Sequence, residues 1–247
     1  MKKKSIGIGL LLAVAMTGTA SAAEICLKYV ADGPGLTDQH FFYQKGVDAN
    51  STQSITEFEA LFLGSREFSG YNNTYQLFCV QIFEGVTQGH TYCYDIVPTQ
   101  DVPEGNEDEM GIVRAKVMGE LYTRFHNDWL GGNYTGTDLD NRAAAFAALV
   151  WEISHETLDS SFTSEQYATL SLDMNAGAFR SQLNTEAQML AEQALAMLTG
   201  TYDLNDSLNG LKNGKNQDQL IYVPLPAPVI LAGVGLVAAG IIRRRMK

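Results

Sequence analysis

None of the common catalytic signatures is written in this 247-residue chain. There is no G-x-S-x-G, no H-E-x-x-H, no P-loop and no C-x-x-C, so the usual serine hydrolase, zinc protease, nucleotide and dithiol chemistries are not indicated. Histidine is scarce, with four in the whole chain, which leaves few bases for a cysteine nucleophile. Only three cysteines are present, Cys26, Cys79 and Cys93, so any single disulfide leaves one thiol over. Positive charge is unevenly placed. Residues 1–22 hold three Lys and residues 227–247 hold three Arg and one Lys, and neither stretch holds an acid. The formal charge of −11 for the chain therefore becomes −18 for the middle. A body that acidic repels nucleic acid and anionic lipid, and it suits divalent cations and neutral or cationic polymers. Internal repeats and low-complexity linkers are absent as well.

The two ends are patterned differently from the middle. Lys2, Lys3 and Lys4 precede an apolar run, Ile6 to Met16, and Ala20-Ser21-Ala22 closes it. This is the order of a secretory signal peptide, with the mature chain starting at Ala23 or one residue later. At the other end stands Val223-Pro224-Leu225-Pro226-Ala227, then an uncharged run from Val229 to Ile242, then Arg243, Arg244, Arg245 and Lys247. Two prolines fix φ and remove donors, which keeps that signature extended. The apolar run is a short transmembrane helix in expectation, and the basic cluster holds the cytoplasmic side.

Between the ends, residues 23–97 read as β. Ile25, Leu27 and Tyr29 alternate with polar or small neighbours until Gly33-Pro34-Gly35 breaks the strand. Ser54 to Phe62 fits a strand or two short helical turns. Thr74 to Phe83 is the best strand, aromatic and β-branched, and His90 to Val97 returns as its hairpin partner. If that turn is centred near Val86, Cys79 and Cys93 stand opposite each other and can form a disulfide, with Cys26 the free thiol. The other reading of Cys79 is a small buried hydrophobe. Pro98 to Glu109 is an acidic loop, read as a solvated run feeding a helix N-terminus. Helical periodicity then follows: Met110, Val113, Val117, Leu121 and Phe125 on one helix ended by Gly131-Gly132; Phe146, Leu149, Val150 and Ile153 on a second capped by Asp140 or Asn141; Leu183, Ala187, Leu190, Ala194 and Met197 on a third between about 175 and 199. Asn205 to Gln219 reads as loop, and Leu220 to Val223 as a last strand. The expected fold class is α+β: a β-rich barrel or sandwich, a grouped helical subdomain and a C-terminal transmembrane sorting helix. Glu152 and His155, at i and i+3 with Glu156 beside them, can share a metal in principle, but the set is short of ligands, and His155 reads as a surface residue favoured by the helix dipole. No metal and no cofactor is expected.

The C-terminal pattern closely resembles the PEP-CTERM sorting signals of Gram-negative bacteria in their VPLPA variant, with Leu225 where the namesake Glu stands. The resemblance implies processing by signal peptidase and an exosortase, transient residence in the inner membrane, and release to the cell surface or an exopolysaccharide matrix. A second resemblance lies in the body. Phe78 to Phe83 carries an aromatic-Cys segment, and Ala143 to Ile153 (AAAFAALVWEI) is a helix ending in Trp-Glu-Ile. Together they are similar to thioester-type domains of bacterial surface proteins, where a strand Cys and a Gln four residues before a helical Trp form an internal thioester. Many PEP-CTERM proteins carry a similar pair of segments, and Asn216-Gln217-Asp218-Gln219-Leu220 also looks like theirs. Here Cys79 matches the Cys and Trp151 the Trp, but Ala147 stands where Gln is required and Leu149 fills the small-residue slot. Alanine has no carbonyl to acylate. The expected domains are a signal peptide over 1–22, a thioester-domain-like body over 23–222 and the sorting signal over 223–247. The expected function is a non-enzymatic surface or matrix protein with a structural or adhesive role. The alternatives are a non-covalent glycan-binding module of exopolysaccharide and a hydrolase of matrix polymer.

Overall fold

The computed structural model describes residues 23–70, 73–103 and 107–223. It is a mixed α/β body with a large antiparallel sheet and several helices. The strands are β1 (Ala23–Tyr43), β2 (Glu57–Gly70), β3 (Asn73–Cys79), β4 (Thr91–Pro98), β5 (Phe179–Gln182), β6 (Leu208–Lys212) and β7 (Gln219–Tyr222). The helices are α1 (Gly111–Leu121), α2 (Asn127–Leu130), α3 (Gly136–His155), α4 (Ser164–Leu170) and α5 (Thr185–Leu195), and a π-turn (Tyr122–His126) joins the first two.

The strand pairings close on themselves. β1 pairs with β2, β2 with β3, β3 with β7, β7 with β6, β6 with β4, and β4 with β1, every pair antiparallel. Each of these six strands sends an apolar side chain into one cluster: Leu27 and Tyr29, Phe68, Leu77, Tyr92 and Tyr94, Leu211, and Ile221. Closure leaves this part of the sheet without an edge. β1 can serve three partners because it is long. Its first residues pair β4, its middle pairs β2, His40–Phe42 pair both β2 and β5, and Tyr43 pairs β5. The Gly33-Pro34-Gly35 segment does not end the strand, contrary to the expectation. The register shifts between Asp32 and Gly35 instead, and the strand bends there as a bulge does. At that bend the backbones approach closely, so that a Cβ at Gly35 would lie 2.6 Å from the Leu63 carbonyl oxygen.

The second core lies on the helical side. Residues 143–156 are buried throughout, so α3 is enclosed rather than amphipathic. It packs on β1 and β2 on one side and on α1 and α5 on others. Phe78, Cys79, Val80 and Leu220 join it from the sheet. Several boundaries differ from the periodicity reading. α3 starts a turn early, with Thr135 as N-cap. The third helical region is β5 followed by α5, whose start is fixed by Asn184 Oδ1 accepting from the Ala187 N–H. Met197, placed on its apolar stripe, is half exposed. α4 was unforeseen, although Thr163-x-x-Gln166 forms the reciprocal capping box that marks such starts. The loop before the last strand contains β6.

The reading of the acidic loop is corrected in part. α1 has no acid in its first turn. Glu107 is buried, and Asp108 and Glu109 pair with Lys45 at 2.8 Å and Lys212 at 3.3 Å. Asp108 and Glu109 are exposed and lead directly into α1, as expected of a solvated run, whereas Glu107 turns inward. No helix among the described residues is long and apolar enough to cross a membrane. The expected signal peptide (1–22), the apolar run, and Pro224, Leu225, Pro226, Ala227, Arg243, Arg244 and Arg245 lie outside the described residues. Val223 lies inside them, exposed, with its N–H donating to the Ser207 carbonyl at 2.8 Å.

Candidate functional site

The strand-and-helix pair singled out in the sequence does meet in space. β3 ends on Cys79, and α3 crosses behind it. The Trp151 indole Nε1–H donates to the Cys79 carbonyl oxygen at 3.0 Å, and the Phe78 and Phe146 rings lie 4.8 Å apart. Ala147 is one helical turn before Trp151, hence on the same face, and it is buried. Burial pushes the Cys79 thiol above its ordinary pKa, against smaller opposing effects of Arg66 and Trp151. A thiol held protonated in an apolar core is a poor nucleophile. The Tyr122 hydroxyl, also buried, has no partner, and desolvation raises its pKa well above 10.0.

The cysteine pairing differs from the hairpin expectation. β3 and β4 are not neighbours, since β7 and β6 stand between them. Cys93 on β4 instead faces Cys26 on β1 in direct register, with Cα atoms 3.9 Å apart, and these two form the disulfide. Cys79 is the free cysteine and Cys26 is not. Cross-strand register decided this, and it cannot be read from the spacing of cysteines.

Across β3 from Cys79 stands Gln219 on β7, fully buried, with its Oε1 unpartnered. It belongs to a buried polar strip that patterning missed. Gln217 Nε2–H donates to the Gln81 carbonyl at 2.8 Å, Gln81 Oε1 accepts from the Asp218 N–H, and Arg66 donates to Gln217 Oε1. The only available signal was the Asn216–Gln219 polar run before an apolar strand.

The C-terminal turn of α3 carries a second buried polar group. His155, expected at the surface, is buried, and its Nε2 lies 2.8 Å from Glu107 Oε2. Glu107 Oε1 accepts from the N–H groups of Ile82 and Phe83. Ser154 Oγ lies 2.8 Å from His155 Nδ1, which gives the outline of a Ser-His-Glu triad. Burial of all three side chains and their backbone contacts argue against that use. Nδ1 is also 3.1 Å from the Trp151 carbonyl and Ser154 Oγ is 2.7 Å from the Val150 carbonyl. Both side chains thus lie on carbonyls of the last turn of α3 as well as on each other, and Ser154, His155 and Glu107 are all buried. The arrangement is a buried clamp that ties the acidic loop and the chain just after β3 to α3.

Glu152 and Glu156 point elsewhere. Glu152 Oε1 accepts from the Asp173 N–H at 2.8 Å, and Glu156 accepts from the N–H groups of Thr157, Ala178 and Phe179. Glu152, His155 and Glu156 thus do not converge on a common point. Among the described residues, the one close grouping of His, Cys, Asp and Glu is Glu24, Cys26 and Cys93, whose two sulfurs are already bonded to each other. Compared with protein-family models, curated proteins and solved structures, the chain matches none of them.

Proposed function

We propose that this chain is an exported, non-enzymatic protein of the cell surface or extracellular matrix, sorted by its C-terminal tail and lacking an internal thioester. Its role is structural or adhesive, in a polysaccharide-rich setting, and its processing partners are signal peptidase and a membrane exosortase. The observation that carries the non-covalent reading is the junction of β3 and α3. Trp151 is bonded to the Cys79 carbonyl, yet the helical position one turn earlier is Ala147, with no carbonyl to acylate. A Cys26–Cys93 disulfide supports export, because such bonds persist in oxidising compartments. The destination rests on the order of the tail's three parts, which begins at Val223, one residue after β7 ends.

The test is fractionation of cells producing a Pro224→Ala, Pro226→Ala double variant. The expected result is a body that crosses the inner membrane and stays attached to it. Wild-type amounts in the medium would remove the sorting reading.

A further inference from the structure

The C-terminal half of α3 buries more carboxyl groups than the surrounding charge can balance. Glu152 and Glu156 are both fully buried, four residues apart and therefore on one helix face. Between them they hold the segment Asp173–Phe179 by its main chain. Asp173 donates to Glu152 Oε1 at 2.8 Å, while Ala178 and Phe179 donate to Glu156 Oε2 at 2.8 and 3.2 Å. Gly177, at φ +93°, lies against the same carboxylate: a Cβ there would stand 2.5 Å from Glu156 Cδ, so the segment is moulded onto the acid. Glu152 Oε2 has no donor at all.

Four other elements present titratable or charged groups to the pair. From α1 comes Arg114, whose Nη2 donates to the Glu156 main-chain oxygen at 2.7 Å. From α4 comes Tyr167, neutral, with its hydroxyl donating to the Ile153 carbonyl at 2.7 Å. From β1 comes Tyr43, which burial pushes up to about 12 and which also feels Glu107 and Asp108. The covering segment itself brings Asp173, a like charge to Glu152. His155, on α3, is committed to Glu107. The facing set therefore supplies one cation, Arg114, for two buried carboxyls. Neutrality requires that the pair keep one proton.

We propose that Glu152 and Glu156 form a pH-sensitive latch: while one of the two acids keeps its proton the segment Asp173–Phe179 is clamped to α3, and with both ionised it is released. Ionising both places two like charges on one helix face in a dry site, one of them with an oxygen that no donor reaches, and such burial is costly. The cheapest relief is to admit water, and the covering segment is what separates the pair from solvent on that side. Desolvation raises both acids, Glu156 to about 7 and Glu152 well above the ordinary carboxylate range, with the like charge adding to Glu152. Release also frees Phe179 from Trp151, where the rings now meet edge to face at 6.2 Å. It moves Met174 and Asn175, which wall a cavity of about 410 Å³ against Phe42 and Ile55.

Hydrogen exchange of the purified full chain, corrected for intrinsic exchange rates, tests this between pH 5.5 and 8.5. Protection of the Asp173, Ala178 and Phe179 amides should fall at least tenfold over that range, as loss of one bound proton requires. At every pH β4 should stay better protected than these three amides, which open without global unfolding. In Glu152→Gln, where only Glu156 can still ionise, the pH dependence of the three amides should be smaller than in the wild type. Wild-type protection that is independent of pH overturns the latch without recourse to any variant. So does protection of the three amides equal to that of β4 at every pH, which would mean that they exchange only by global unfolding, and so does an undiminished pH slope in Glu152→Gln.

Discussion

The closed ring of strands and the helical layer keep their shape by different means. Inside the ring, eight buried side chains pack among aromatic partners such as Tyr29 and Phe68, whose ring centroids are 5.2 Å apart, and a disulfide between β1 and β4 sits on its wall. The helical layer has no covalent tie. It holds its loops with buried acids instead: Glu107 takes the end of β3, Glu120 takes Thr199 and Gly200 after α5, and Glu152 with Glu156 takes the segment before β5. A buried carboxylate can satisfy several backbone donors at once, which loops need and ladders do not. Glu152 and Glu156, both raised by burial, also make the structure answer to pH. The ring should therefore be sensitive to reductant and the helical layer to proton concentration.

The largest break in that comparison comes from the disulfide. Its sulfurs close a loop with a sequence separation of 67. Chain-entropy reasoning for a loop of that size gives a loss of about 4 kcal/mol on removal. Cys93→Ser, or reduction of the wild type, should lower the urea midpoint accordingly. Cys79→Ala removes only one buried, unbridged sulfur and should cost about 1 kcal/mol. If the two variants were equally destabilised, the cross-link would not be what holds β1 to β4.

The next effect is alkaline. Glu156 is raised from 4.5 to about 7 when folded, so between those values the native state binds more protons than the unfolded one. Its contribution is complete below the unfolded pKa and is lost as pH climbs to about 7, a fall of roughly 3 kcal/mol at fixed redox state. Glu152, raised further, carries the decline to higher pH. Denaturant melts at pH 5 and pH 8 should show this decline in the wild type and a smaller one in Glu152→Gln. A stability that rises with pH would contradict the whole assignment of buried neutral acid.

Legibility followed the same division. Strands β3, β4 and β7 and the helical stretches around Val117 and Leu149 were readable, because local periodicity and side-chain type specify them. The partners of those strands were not. The hairpin of β3 with β4 is a sound local inference, but closing the ring inserts β6 and β7 between them, and that choice is made by residues more than a hundred positions away. The disulfide followed the ring, so Cys26 took the place assigned to Cys79. His155 and Glu107 were misplaced for a related reason. Each reads as a surface charge alone, and each becomes buriable only because the other is there, 48 residues distant. The meeting of Cys79 with Trp151 was legible from the resemblance of two short segments, while Gln219 opposite Cys79 was not, since a glutamine in a short strand carries no local mark.

The smallest expected effect sharpens the comparison most, because it asks whether the junction of ring and helical layer is chemically silent. An internal thioester forms when the cysteine sulfur attacks a glutamine amide carbonyl; a C–S bond replaces the C–N bond, and the amide nitrogen departs as ammonia with the thiol's proton. The intact mass of the wild type should show no such deficit. Cys79 is held as a thiol by burial, and Ala147 offers no carbonyl. Ala147→Gln restores an amide on the face that meets Cys79, in a geometry where proximity alone lowers the barrier. Partial loss of one ammonia and some reactivity with methylamine are expected, limited by Leu149, which is fully buried nearby on the same helix. The decisive measurement is the wild type. A deficit of one ammonia that vanishes in Cys79→Ala would mean that another glutamine serves, and Gln219, across the strand with its Oε1 unpartnered, would be the residue to change next. Abolition of the deficit by Gln219→Glu would then overturn the non-covalent reading and place the reactive bond in the ring wall rather than on the helix.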